Sequence, residues 1–278
     1  YLYVEGYVPI GAIGGVQFFA ATIFSSLTGF NANYAELKTV QPVFEKYSKK
    51  IKSNCERNDG KVVNELTNSI RLQNIHFSYP NTEHVVLENM NMEIKKGDKV
   101  VITAESGKGK STLLNIMNRR LEPTKGNIYW DNISYKDLDI TSLHNSIIYI
   151  DQNPHLFNAT IRENIILNES IEEGRLENIL KQVGLSDWMD SLELGLETII
   201  DYQAKNISGG QKQKIILARG LLRNKKVVLL DEITSSLDNQ SALEIEKLLF
   251  DNDTLTVVMV THHLSEYVIQ RLTKQYVL

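Results

Sequence analysis

What this sequence has little of narrows its class first. A single cysteine, Cys55, sits in a polar stretch of the 278 residues, which excludes an internal disulfide framework and fits a reducing compartment. The formal net charge is only −4, so no global basic field draws the chain to nucleic acid, and no nucleic-acid partner is expected. Like-charge blocks, low-complexity tracts and repeats of solenoid period are missing, which excludes charged tails and stacked-repeat architectures. There is no basic start before the first apolar run, so a secretory leader is not expected. From Gly6 to Ala35 there is no formal charge at all.

That uncharged stretch is the first positive signal. Residues 8–30, VPIGAIGGVQFFAATIFSSLTGF, are mostly apolar or small and exceed the roughly 20 residues that a helix needs to cross a bilayer. Gly11, Gly14, Gly15, Ser25 and Ser26 suit close packing against other membrane helices. Gln17, Thr22 and Thr28 dilute the signal and leave a buried helix of a soluble protein as the alternative. Only Glu5 is charged before the run, whereas Lys38, Lys46, Lys49, Lys50, Lys52 and Arg57 follow it, which predicts a cytoplasmic C-terminal side. Residues 1–57 are therefore expected to be a transmembrane helix and its cytoplasmic extension. They would be the tail of a larger membrane domain, in a chain that is a fragment opening on Tyr1. Pro42 cannot donate a backbone hydrogen bond and predicts a kink there.

From Asn58 the composition changes, with the turn-rich Asn58, Asp59 and Gly60 marking a boundary. The runs 99–102, 146–150, 226–230 and 255–260 are near-continuous Val, Ile and Leu, as in parallel strands buried on both faces. Residues 69–79 and 85–94 alternate more and predict an antiparallel layer. Residues from about 158 to 222 lack a strong strand run and read mainly as helices. The expected fold is α/β: a parallel-sheet core over 58–278 with an antiparallel β layer and a helical insertion.

The stretch AESGKGKST, 104–112, joins an apolar strand to an apolar helix. A glycine-bearing turn there presents backbone N–H groups and a positive helix end, which bind an anion such as phosphate. It nearly matches the P-loop pattern G-x-x-x-x-G-K-S/T, with Ala104 replacing the first glycine. On that pattern Ser106, Gly107, Lys108, Gly109, Lys110, Ser111 and Thr112 line a nucleotide. Lys110 reaches its terminal phosphates and Ser111 ligates Mg²⁺. Ala104 is tolerable if its φ stays negative. The run 227–232, VVLLDE, is a strand ending in two carboxylates at the edge where α/β ligand sites form. Asp231 is expected on Mg²⁺ and Glu232 as general base, on opposite sides because strand residues alternate. A second anion-seeking helix start follows in 206–214, NISGGQKQK, with Ser208 capping and Gly209 and Gly210 allowing close backbone approach. Since one turn already serves one nucleotide, the second suggests a site for the nucleotide of another subunit.

The run Ile207–Lys214 resembles the signature of ATP-binding cassette (ABC) proteins, and other elements of that family follow in order. The resemblance covers about residue 69 to the end. It implies a P-loop NTPase (RecA-like) core, ATP and Mg²⁺ as cofactors, and ATP hydrolysis. It implies that Ser208, Gly209, Gly210 and Gln211 act on the ATP of a second subunit. Residues 149–157 resemble the glutamine loop, with Gln152 implied as a metal and water contact; 235–238 resemble the D-loop, with Asp238 implied at the dimer interface. Residues 260–265 resemble the switch, where His262 or His263 is implied on the γ-phosphate and the place after Thr261 favours His262. Residues 77–80 carry Tyr79 where the family stacks an aromatic on adenine.

Exporter-type members run their last membrane helix into the ATPase domain, which 1–57 resembles, and 158–165 resembles the exporter helical subdomain. The implied protein is half of an exporter in the plasma membrane, its ATPase domain cytoplasmic, paired with an identical or different half-transporter. Its cargo is open. The segment 198–204 departs from the exporter pattern, with Tyr202 in place of a glutamate. Two other readings remain: a soluble cassette ATPase acting on chromosomes or ribosomes, and a non-hydrolysing regulatory cassette.

Overall fold

In the computed structural model the described backbone comprises residues 10–54, 60–80, 82, 84–105, 107–152, 155–167, 169–201, 206–234, 237–262 and 264–278. Within the first helix, side chains are described for 14–34, 36–38 and 40–42. The chain divides into two units, Tyr1–Glu56 and Arg57–Leu278.

The first unit is one helix, α1 (Ile10–Asn54), which carries Pro42 inside it. Phe18, Phe19, Ile23, Phe24, Leu27 and Phe30 are exposed along it. The hydroxyls of Thr22, Ser26 and Thr28 donate back to carbonyls of the preceding turn at 2.9 Å, so these polar residues carry their own partners. Among the described residues no helix is long and apolar enough to cross a membrane. The span expected over 8–30 begins in residues whose side chains lie outside the described set, and Gln17, Thr22, Ser25, Ser26 and Thr28 lower the hydropathy of the remainder.

The second unit opens with an antiparallel pair, β1 (Ser69–Ser78) and β2 (Val85–Lys95). Then come β3 (Lys99–Thr103), α2 (Lys110–Met117), β4 (Lys125–Trp130), β5 (Ile133–Ser134), α3 (Ile140–Ser146) and β6 (Ile147–Ile150). A helical stretch follows: α4 (Ile161–Ile166), α5 (Glu173–Gln182), α6 (Ser186–Ser191) and α7 (Gly209–Leu222). The chain continues with β7 (Val227–Asp231), α8 (Asn239–Phe250), β8 (Thr256–Thr261), α9 (Glu266–Ile269) and β9 (Lys274–Val277). One sheet is antiparallel, in the order β2-β1-β4-β5; the other is parallel, in the order β6-β7-β8-β3-β9.

The parallel strands read as unbroken apolar runs because each face meets a different core. Val228 and Leu230 face α4, α5, α7 and α8 on one side. Val227 and Leu229 face α2 and the antiparallel sheet on the other. The same alternation holds in β8, where Val257 and Met259 join the first core and Val258 and Val260 the second. Register then aligns the strand ends: Thr103 of β3 pairs with Thr261 of β8, and Asp231 of β7 with Val260. Three loops thus leave one edge together, after β3, β7 and β8.

Gly220 lets α7 lie against β6. A Cβ at that position would fall 2.4 Å from Ile148 Cγ1 and 2.5 Å from its Cδ1, closer than carbon atoms approach. Ile148 is itself buried in the core, so it has little room to yield. Gly220→Ala is expected to destabilise the protein by about 1–3 kcal/mol through overpacking. A lowered urea midpoint at unchanged slope would verify this; an unchanged midpoint would refute it.

Candidate active site

The turn after β3 is built by left-handed glycines. Gly107 has φ +80° and Gly109 has φ +88°, values that cost a side-chain-bearing residue free energy. Gly109 also lacks room: its Cβ would lie 2.7 Å from Val86 Cγ1 and 3.1 Å from the Val86 carbonyl oxygen. Ala104 is not among the left-handed residues, so the methyl that replaces the first glycine of the pattern meets the condition for being tolerated. From Gly109 the chain enters α2, with Leu113 N–H donating to the Gly109 carbonyl at 2.9 Å. The first N–H groups of α2 therefore face the turn without intrahelical partners.

A cleft of about 500 Å³ lies over this turn. It is lined by Tyr79, Gly107, Gly109, Lys110, Ser111, Thr112, Gln152, Asp231 and Glu232, together with His84 and Val86. The Tyr79 hydroxyl lies 3.0 Å from Thr112 Oγ1, and its ring meets Phe77 edge-on at 4.9 Å. Lys110 is buried, and its Nζ donates to the carbonyls of Ala104 at 3.1 Å and Glu105 at 3.0 Å. The same Nζ lies 3.4 Å from Glu232 Oε1 and 2.9 Å from His262 Nε2, and that Nε2 is 2.8 Å from Glu232 Oε1. Lysine, glutamate and histidine form a closed triangle. The ring nitrogen serves two neighbours: it accepts from Lys110 or donates to Glu232, according to the tautomer.

The two carboxylates of 227–232 part company, and strand alternation is not the cause. The strand ends at Asp231, and Glu232 turns left-handed at φ +51°, its N–H held by the Val260 carbonyl at 3.0 Å. A left-handed glutamate costs about 1–3 kcal/mol, a strain that places its carboxylate beside Lys110 and His262. Asp231 stays buried. Burial above all pushes its carboxyl above the ordinary range, with the charges of Glu232 and Asp151 adding, while the Ser111 hydroxyl and Lys110 pull the other way. Its Oδ1 is buried and has no hydrogen-bond partner among the described residues. An unpartnered carboxylate oxygen next to a serine hydroxyl suits a hard, oxygen-loving divalent cation such as Mg²⁺.

Other sequence-derived candidates stand elsewhere. Lys108 is exposed and does not line the cleft. Ser106 lies outside the described residues, as do His263 and Tyr202. Ser208 caps α7: its hydroxyl accepts from Gln211 N–H at 3.2 Å while Gln211 Oε1 accepts from Ser208 N–H at 2.7 Å. A Cβ on Gly209 would lie 2.9 Å from Leu237 Cδ2, and one on Gly210 3.3 Å from Ser241 Cβ. These glycines thus permit the start of α7 to pack on Leu237 and the first turn of α8. Asp238 caps α8, accepting from Gln240 and Ser241 N–H groups. None of Ser208, Gly209, Gly210, Gln211 and Asp238 lines the cleft.

Three residues were missed. His84 and Val86 line the cleft from the start of β2, and nothing in their local pattern marks them. Gln213 is buried in α7 and donates to the Ile233 carbonyl at 2.5 Å, which ties α7 to the residue after Glu232. A lone amide in an apolar helix face was the available signal.

The family model described as ABC transporter matches residues 87–235. The chain is 33% identical over 245 residues to the ATP-dependent lipid A-core flippase of Salmonella paratyphi A, across 86% of this chain and 41% of that protein. It is 37% identical over 222 residues to the ABC multidrug transporter MDR1 of Cryptococcus neoformans var. grubii, across 76% of this chain and 16% of that protein. The chain therefore spans less than half the length of these curated relatives. A bacterial Atm1-family ABC exporter solved with ATP bound shares the fold, with a TM-score of 0.87 at 24% identity, over all of this chain and 49% of that one.

Proposed function

The chain belongs to the ABC transporter family, and from that premise we propose that it hydrolyses ATP to drive export across a membrane as half of a paired transporter. The observation that carries the reading is the triangle of Lys110, Glu232 and His262 at the rim of a cleft floored by two left-handed glycines. The turn and the start of α2 would take the phosphates on backbone N–H groups, and Tyr79 would meet the adenine. A γ-phosphate competes with Glu232 and the two carbonyls for Lys110, opening the triangle. Glu232, freed from the lysine, orients a water in line with the γ-phosphorus and accepts its proton as the new P–O bond forms. The bond to the bridging oxygen of ADP breaks, and ADP and inorganic phosphate leave. His262 keeps its Nε2 on Glu232 or turns to the phosphate.

Asp231 and Ser111 would hold Mg²⁺, with Gln152 at the mouth of the cleft; the metal neutralises charge on the phosphate oxygens when bound. Ser208, Gly209, Gly210 and Gln211 would serve the ATP of a partner half, and Asp238 would lie at the seam. Residues 1–57 would lead from the membrane part into the ATPase domain 58–278, whose helical subdomain is about 158–222. Exposed Phe18, Phe19, Phe24 and Phe30 support this, because such a helix needs a lipid or helical covering.

The test is phosphate release by the full-length protein in proteoliposomes, with and without Mg²⁺. ATP- and Mg²⁺-dependent release is expected, with the protein sedimenting with the vesicles. Absence of release, or a protein left in the supernatant, would overturn the reading.

A further inference from the structure

A second cleft, of about 510 Å³, shares Glu232 with the first and is bounded by Thr261, His262, Leu264, Ser265 and Glu246. Glu246 belongs to α8 and plays no part in the chemistry above, yet its carboxyl is buried. Burial pushes that carboxyl above the usual range, and the Ser265 hydroxyl pulls the other way. A buried carboxyl of this kind is costly unless a partner recovers the loss. The partner is Ser265, whose Oγ donates to Glu246 Oε2 at 2.6 Å.

Ser265 is engaged twice. The same Oγ accepts from Val268 N–H at 3.2 Å and so caps α9. Thr261 is held by the β8 ladder, and Ser265 by Glu246 and the cap. His262 lies between the two anchors, 2.8 Å from Glu232 and 2.9 Å from Lys110. Its ring is partly exposed, so packing alone does not hold it.

Building on the ATPase reading, we infer that Glu246 is a positioning residue: through its hydrogen bond to Ser265 it helps hold His262 against Glu232 and Lys110. Glu246 does not line the cleft over the glycine turn. Its loss should slow the chemical step and leave ATP binding alone.

Two variants test this in the full-length protein. Glu246→Leu keeps approximate volume and removes the acceptor; Glu246→Gln keeps both. The leucine variant is expected to lower kcat by about tenfold or more at unchanged KM for ATP, and the glutamine variant to retain most of kcat. An activity-independent readout accompanies them: the rate of carbethoxylation at His262, followed by mass spectrometry. That rate should rise severalfold in Glu246→Leu and stay at the wild-type value in Glu246→Gln. Should the leucine variant fail to fold, Ser265→Ala against Ser265→Thr probes the same link. Wild-type kcat and wild-type His262 reactivity in the variants lacking the bond would overturn the inference. So would a fall in ATP affinity parallel to kcat, which marks a merely structural role. If the wild-type protein releases no phosphate, the ATPase reading fails, and His262 reactivity still decides whether Glu246 positions it.

Discussion

Glu232→Gln is expected to lower kcat for ATP hydrolysis by about 10²–10⁴-fold, the usual contribution of a positioned general base. The amide keeps the size and can still accept from His262, 2.8 Å away, so the turn should survive. It cannot take a proton from water. The left-handed backbone at φ +51° is set by the N–H bond to Val260 and not by the side chain, so the substitution adds no new strain. ATP affinity should therefore hold, and two halves that close on ATP should stay closed. Single-turnover phosphate release and ATP-dependent dimer accumulation in the full-length protein measure both. Unimpaired hydrolysis by this variant would remove Glu232 from the role of base.

Lys110→Met is the second large effect, and it falls on binding. The lysine is buried and its Nζ spans two carbonyls, Glu232 and His262. A charge-assisted bond to phosphate contributes about 1.5–3 kcal/mol, which is roughly 10- to 150-fold in affinity. Methionine fills the space without the charge, and the Ala104 and Glu105 carbonyls lose the Lys110 ammonium, Glu105 keeping only Lys108 N–H at 3.4 Å. ATP affinity should drop by that factor, and turnover should fall further, because the same cation stabilises the charge that develops on the leaving phosphoryl group. Equilibrium binding of a fluorescent ATP analogue distinguishes the two losses. Wild-type affinity in this variant would show that the backbone N–H groups alone carry the phosphates.

Much of the fold could be read along the chain. The four Val/Ile/Leu runs became β3, β6, β7 and β8, because burial on both faces demands apolar residues at every position. β4 was missed: Lys125–Trp130 is short and mixed, and it is a strand because β1 offers it a partner, Ile70 opposite Trp130. β9, Lys274–Val277, is not an unbroken apolar run, because it pairs with β3 from the sheet edge. Candidate site residues from the glycine turn, the end of β7 and the loop after β6 do share one cleft. Ser208–Gln211 and Asp238 did not join it; in the chain itself their polar groups serve as helix caps.

Local chemistry was decidable from sequence alone wherever a short run carries its own constraint. Glycines at 107 and 109 announce a backbone that other residues resist, and an apolar strand closed by two acids announces a sheet edge with charge on it. What only the tertiary structure decided is how distant segments meet: the left-handed turn that sends Glu232 to Lys110 and His262, and the bond from Glu246 to Ser265 across α8 and α9. The physical reason is that a turn's conformation depends on nearby residues, whereas a contact between positions far apart in sequence exists only once the sheet register has brought their loops to the same edge.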